Sequence, residues 1–164
     1  MLGAITTASK WVDRTLLAVA CIFLVVMALH ITADVIARAF NQQVVGTLET
    51  VSYYHMVFAV LLPLAFVERT QENIRVDVFV QLMPAWLQLL LYVMACLIGL
   101  AFFGALTWQS FLDAWKSTER QETIMSNFLF YIWPSRWALP LAFGAACLAI
   151  FVNLLKALAE RRAL

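Results

Sequence analysis

The sequence predicts an all-α integral membrane protein, built from four transmembrane helices with a short interfacial helix between the second and third. Hydrophobic residues make up 64% of the chain and charged residues 13%, whereas soluble domains average about 45–50% and about 25%. A soluble domain of 164 residues could not bury so much apolar surface. The apolar runs are long and continuous, where the strands of a membrane barrel would alternate. We therefore expect a single four-helix membrane domain over residues 1–164.

Each of the four apolar runs is long enough to cross about 30 Å of hydrocarbon as a helix. The spans are expected at about residues 15–37, 48–67, 84–108 and 135–158. Pro63 predicts a kink in the second span. The helical pattern continues beyond Trp108, which predicts that the third helix projects past the hydrocarbon. The apolar and aromatic stretch 127–135 is too short to span, so we expect it at the membrane interface.

The second half of the first span carries three ionisable residues on one helix face, His30, Asp34 and Arg38. Because ionisable groups that face lipid are costly, this face should meet protein. One interpretation is a polar contact with another helix; the alternative is that Arg38 reaches the interface with Asp34 as its partner one turn away. Glu49 begins the second span near the same membrane surface, so an interhelical Arg38–Glu49 pair is a hypothesis. These four residues are candidates for an interface with another subunit or with a binding protein.

The long polar break at residues 66–84 divides the chain into two hydrophobic halves. We expect an ordered turn here, with Arg69, Asn73 and Asp77 as candidate turn or capping residues. Asp77 is placed to cap the short interfacial helix, expected at residues 78–83.

The distribution of lysine and arginine favours cytoplasmic chain termini, because cytoplasmic loops carry the excess of basic residues. Seven basic residues fall on the side of the termini and four on the other. The seven are Lys10, Arg14, Arg69, Arg75, Lys156, Arg161 and Arg162, and the four are Arg38, Lys116, Arg120 and Arg136. We therefore expect a multi-pass membrane protein with both termini and residues 66–84 facing the cytoplasm.

Several classes of function lack support in the sequence. There is no nucleophile elbow, Walker loop, dinucleotide fingerprint or HExxH motif, so no enzyme is predicted. The net charge of +1 and the scattered basic residues do not indicate a nucleic-acid partner. The three cysteines lie singly in apolar runs and predict neither a disulfide framework nor a zinc site.

A haem site between His30 and His55 is the sharpest cofactor alternative, because the two histidines should lie at similar depth on adjacent antiparallel helices. The directions in which the two histidines should point around their helix axes argue against a haem site. His55 is expected to point well over 90° away from Glu49, so that both imidazoles could not face one gap. We therefore predict no cofactor.

Several stretches, in this order, resemble the small membrane subunit (DctQ-like, or Q, subunit) of tripartite ATP-independent periplasmic (TRAP) transporters. They are ITADVIARAF at 31–40, TLETVSYY at 47–54, LPLAFVERTQENIRVDVFVQLMP at 62–84 and WPSRWALPLAFG at 133–144. The resemblance covers roughly residues 16–158. One departure is Asn73, which stands where many family members have histidine before Ile-x-Val-Asp.

The resemblance implies a non-catalytic partner of a large multi-span membrane subunit, which carries the substrate and sodium sites of the transporter. It also implies transient contact with a periplasmic binding protein that delivers an organic anion such as a carboxylate. Membrane lipid is the remaining partner. Two alternatives stay open: the small subunit of a tripartite tricarboxylate transporter, and a membrane anchor or cytochrome b-type subunit of a redox enzyme.

Overall fold

The computed structural model describes residues 2–42, 44–71, 83–125 and 129–160, with side chains from Thr6 onward. Four helical stretches in this part of the chain are long and apolar enough to cross a membrane. The predicted fold class, an all-α membrane protein with four spans, is confirmed. The interfacial helix expected at 78–83 lies outside the described residues.

The first and third spans are single long helices, and the second and fourth are interrupted. The helices are α1 (Leu2–Ala39), α2 (Thr47–Thr50), α3 (Met56–Leu61), α4 (Leu64–Thr70), α5 (Ala85–Glu119), α6 (Trp133–Arg136) and α7 (Ala138–Glu160). The second span comprises α2, α3 and α4 together with a π-helical turn at Val51–His55. The fourth comprises α6 and α7. All four spans continue beyond the predicted boundaries, most clearly at the start of α1 and at the end of α5.

Two local features shape the second span. Pro63 lacks a backbone N–H and therefore interrupts the hydrogen-bond pattern of a helix. The helix is interrupted between Leu61 and Leu64, which is where the sequence predicts a kink. The π-helical turn at Val51–His55 inserts one residue relative to a regular α-helix and so rotates one part of the span against the other by about 100°.

A small β-hairpin connects the third and fourth spans. Strands β1 (Thr123–Met125) and β2 (Leu129–Tyr131) pair antiparallel, with Met125 opposite Leu129. The stretch 127–135 was expected as an apolar interfacial segment, and the structure places β2 and most of α6 within it. The strand pairing was not predicted.

Helix α7 is the centre of the bundle and packs against α5, α4, α1 and α3. In the most apolar part of the fourth span, 50% of the residues are buried inside the chain, against 6% in the corresponding parts of the first and third spans. Close approach to α7 is possible because its inward face carries small residues. The buried alanines of α7 are Ala138, Ala142, Ala145, Ala146, Ala149 and Ala157. The outer faces of α1 and α5 therefore remain available to lipid or to another membrane subunit.

Candidate functional site

Asp34 joins the end of α1 to the loop that follows it. Its carboxylate is almost fully buried and accepts hydrogen bonds from Arg38 Nε at 2.9 Å and from the Val44 backbone N–H at 3.2 Å. Arg38 Nη2 lies 2.7 Å from the same carboxylate. Asp34 therefore holds the turn into α2 in place, and its acceptor atoms are used within the chain.

Arg38 is paired with Asp34, which is the local alternative given above, and the Arg38–Glu49 pair stays a prediction. The carboxylate one turn earlier on the same helix is reached without crossing the gap between helices, which favours the local pair. The Arg38 side chain is nevertheless 54% exposed. Glu49 lies half-buried in the first turn of α2, as expected.

His30 and His55 are brought together, contrary to the prediction from helix phase. Their ring centroids are 5.5 Å apart in an edge-to-face arrangement. The π-helical turn explains the error, because a regular α-helix through Val51–His55 would have aimed His55 elsewhere. His55 Nδ1 lies 3.1 Å from the Thr50 carbonyl oxygen, to which it can donate.

The contact between the two imidazoles does not have the geometry of the haem site that was considered as an alternative. The rings touch edge to face, so they do not flank an open gap of the width that a haem requires. Within the described part of the chain, no group of three or more histidine, cysteine, aspartate or glutamate side chains is placed to hold a metal ion. The pair therefore serves as packing between α1 and the second span, beside the stacked rings of Phe23 and Phe58.

A buried ion pair lies at the opposite end of the bundle, between Asp13 of α1 and Arg69 in the last turn of α4. The Asp13 side chain is 0% exposed and that of Arg69 only 11%. Ser9 donates a hydrogen bond to the same carboxylate at 3.4 Å, and the Arg69 guanidinium lies 5.6 Å from the centroid of the Phe66 ring. Arg69 thus anchors two spans to each other.

Other polar contacts hold the end of the second span, near Arg69, to the third and fourth spans. Gln71 takes the left-handed conformation after α4, with φ of 59°, and its amide donates to Tyr92 Oη at 3.3 Å. Asn153, buried in the middle of α7, donates to the Glu68 carbonyl oxygen at 3.0 Å. Of the three candidate turn residues, only Arg69 is described; Asn73 and Asp77 lie outside the described residues.

Asp13 and Asn153 were missed by the sequence analysis. A carboxylate one turn before an apolar run, on the same membrane side as Arg69, was a usable signal for Asp13. Asn153 is a lone amide inside an apolar helix, and such a residue usually seeks a partner on a neighbouring helix.

Glu122 fixes the base of the hairpin. It accepts hydrogen bonds from the Ser117 hydroxyl at 2.6 Å and from Arg136 Nη2 at 2.8 Å, and its carbonyl oxygen accepts from the Ile132 N–H at 3.0 Å. The Ser117 hydroxyl, together with the Arg136 guanidinium, holds the pKa of Glu122 below its usual range. The far strand is held by Tyr54, whose hydroxyl donates to the Tyr131 carbonyl oxygen at 2.8 Å.

The stabilisation from Glu122 should depend on pH. Because the folded-state pKa is lowered, the contribution is complete above the unfolded value of 4.5 and is lost as the pH falls through the folded-state pKa. We expect Glu122→Gln to destabilise the protein by at most about 1 kcal/mol at pH 7, since the side chain is 37% exposed. Thermal unfolding in detergent checks this. The difference between variant and parent should shrink as the pH is lowered below 4.5, and a difference that stays constant would contradict the assignment.

The ion pairs of the described residues hold parts of the chain together. The three ion pairs of the described residues lie at the end of α1, between Asp13 and the last turn of α4, and at the hairpin base. The first of these pairs lies within α1, and each of the other two joins separate parts of the chain.

A comparison with protein-family models identifies the chain. The model of the DctQ component of tripartite ATP-independent periplasmic transporters matches residues 27–160. Neither the curated proteins nor the solved structures yield a match to the chain. The family match covers the end of α1, the second span, α5, the hairpin and the fourth span, which together form most of the bundle. The chain therefore belongs to the DctQ family, the small membrane components of TRAP transporters.

Proposed function

We propose that this protein is the non-catalytic scaffold subunit of a sodium-coupled, binding-protein-dependent TRAP transporter for organic anions such as carboxylates. The family match supports its place beside a large membrane subunit and a binding protein. The polar groups described above connect parts of this chain to one another, which suits a subunit that supports transport without carrying the substrate path.

The uncovered flanks of α1 and α5 carry this proposal. Both helices are strongly apolar along their spans. Only 6% of the residues in the most apolar part of each helix are buried within the chain. A helical bundle with one central helix and two such flanks can take a large subunit on one side and lipid on the other. Helix association of this kind depends on packing and on interhelical hydrogen bonds.

The proposal includes an inner-membrane location with both termini in the cytoplasm. It rests on the distribution of basic residues. In this orientation the Asp13–Arg69 pair lies on the cytoplasmic side, and the α1–α2 turn and the hairpin lie on the periplasmic side.

The α1–α2 turn is the proposed contact with the large subunit or with the binding protein. Arg38 is exposed there, and large apolar side chains are exposed next to it at Phe40, Val45 and Leu48. An exposed apolar patch with charged neighbours is typical of a protein interface. Among the four candidate residues, the exposed Arg38 is better placed for this contact than Asp34, which is used internally.

Co-expression with the large subunit of the same transporter tests the function. A tag on this chain should retain the untagged large subunit through purification, and the complex with its binding protein should catalyse uptake of an organic anion into proteoliposomes under a sodium gradient. Arg38→Ala together with Glu49→Ala should reduce co-purification while the isolated subunit remains folded. Failure of the unaltered chain to retain a large subunit would refute the scaffold function; retention without sodium-driven uptake would refute the proposed coupling.

A further inference from the structure

An apolar groove runs between α5 and the fourth span on the outside of the bundle. Its volume is about 740 Å³. On α5 it is lined by residues between Leu100 and Phe111, and on the fourth span by residues between Trp137 and Phe151. The two helices are antiparallel, so Phe111 meets Trp137 at one end of the groove, with their ring centroids 5.7 Å apart. We call this feature the α5–α7 groove.

The α5–α7 groove lies within one leaflet of the bilayer. Trp86 and Trp108 are exposed tryptophans on α5 that lie about 33 Å apart along the helix, close to the thickness of the hydrocarbon, and so mark its two borders. The groove extends from Trp108 to Leu100, about 12 Å towards the middle of the membrane. Trp115 is exposed about 10 Å beyond Trp108 and continues the aromatic surface into the headgroup layer. The groove therefore matches in depth the hydrocarbon of a single leaflet, which is about 15 Å.

Two polar side chains in the groove wall are directed to partners within the chain. The Thr107 hydroxyl donates a hydrogen bond to the Phe103 carbonyl oxygen at 2.7 Å. The indole N–H of Trp137 donates to the Thr118 hydroxyl at 3.0 Å. The remaining wall is mainly aliphatic and aromatic. This lining suits a hydrocarbon and not a charged or hydrogen-bonding ligand, which would lose its contacts with water on entering.

The shape of the groove favours flexible chains over a partner helix. Between Leu100 and Phe111 its volume corresponds to a mean cross-section of about 45 Å². A helix with its side chains occupies roughly 80–110 Å². The rims carry exposed bulky side chains such as Trp108 and Phe151, whereas a Cβ atom added at Gly104 would meet no other atom within 4 Å. A helix would therefore rest on the rims and leave the space over Gly104 unfilled.

We propose that the α5–α7 groove holds the acyl chains of one phospholipid, with its headgroup at the level of Trp108 and Trp115. The lipid fills the space over Gly104 and thereby supports the packing of α5 against α7. Because the groove recognises hydrocarbon, phospholipids with different headgroups should bind alike. The inference goes beyond the proposed transport function, since it depends only on the position of the groove in the membrane.

The test counts phospholipid molecules bound to the purified full-length chain, alone and in complex with the large subunit, by native mass spectrometry. Lipid is first removed with detergent, and dioleoyl phosphatidylethanolamine or dioleoyl phosphatidylglycerol is then added back. The unaltered chain should retain one molecule of either lipid with similar affinity, and each lipid should raise its Tm because it binds the folded state. Inorganic phosphate should leave the Tm unchanged.

Gly104→Phe places a bulky side chain in the groove and should weaken phospholipid binding at least tenfold. The variant should fold, because the added side chain enters open space and phenylalanine is better tolerated in a helix than glycine. Its Tm should no longer respond to added lipid. The matched control is Ala105→Phe, which enlarges the next residue of α5. Ala105 is exposed and lies outside the groove, so this variant should bind phospholipid as the unaltered chain does.

Two results would overturn the inference. If Gly104→Phe and the unaltered chain retain phospholipid equally well, the groove is not the lipid site. If the unaltered chain binds phospholipid alone but releases it when the large subunit joins, the groove is a contact between subunits. Both results leave the scaffold function intact, which fails only if the unaltered chain does not retain a large subunit.

Discussion

Replacing Asp13 with alanine is expected to destabilise the bundle by about 3–5 kcal/mol, because it would leave the buried Arg69 guanidinium without a counter-charge. The Asp13 carboxylate is fully buried, and Arg69 has little access to water. Removal of one partner leaves the full desolvation penalty of the other, whereas removal of both does not. Arg69→Ala should therefore be comparably harmful, and Asp13→Leu with Arg69→Met should recover much of the lost stability.

Reversible unfolding of the purified subunit in mixed detergent micelles measures these differences. Lys10→Ala is the control, since Lys10 is exposed on the same helix and its loss should change the free energy of unfolding by less than about 0.5 kcal/mol. If Asp13→Ala and Lys10→Ala have the same small effect, the ion pair does not hold α1 to α4.

The four spans were predictable because a membrane imposes a length and a polarity that a single sequence displays directly. The true helix ends were not predictable in the same way. Helix α1 begins well before its apolar run, where Asp13 pairs with Arg69 on another helix and accepts a hydrogen bond from Ser9 on its own helix. Helix α5 continues to Glu119, beyond the lipid-facing part of the helix, where hydropathy no longer reports where a helix stops.

The failure at His55 has a different physical cause. A prediction of side-chain direction from sequence position assumes the same rotation at every residue of a helix. The π-helical turn at Val51–His55 inserts one extra residue, so this assumption fails there. The turn directs His55 to His30 and allows Tyr54 to reach the hairpin. Both contacts are made by tertiary packing, and nothing in the local sequence signals an inserted residue.

Polar contacts between residues close in sequence were predictable, and those between distant residues were not. Asp34 and Arg38 are one helical turn apart, so their pairing could be anticipated as one of two alternatives. Glu122 and Arg136 meet only because the hairpin returns the chain to the end of α5. A three-residue strand pair is too short to show a reliable alternation, which explains why the hairpin was missed.

Replacing Asp34 with alanine is expected to destabilise the isolated subunit, and by more than Arg38→Ala does, because hydrogen bonds to a charged group are lost and the Val44 N–H loses its acceptor. Asp34→Asn keeps one side-chain oxygen, which can serve either Arg38 or Val44 but not both at full strength, so it should have an intermediate effect. Arg38→Ala should cost less than about 1 kcal/mol, since its side chain is 54% exposed.

The comparison of Asp34 with Arg38 separates a role inside the subunit from a role at its surface. Unfolding of the isolated chain should respond strongly to Asp34→Ala, whereas co-purification of the large subunit should respond to Arg38→Ala at unchanged subunit stability. The opposite pattern, in which Asp34→Ala leaves unfolding unaltered but prevents assembly, would show that the carboxylate binds a partner. In that case its contacts with Arg38 and Val44 would be incidental to the free energy of folding, and the α1–α2 turn would have to be held by other groups.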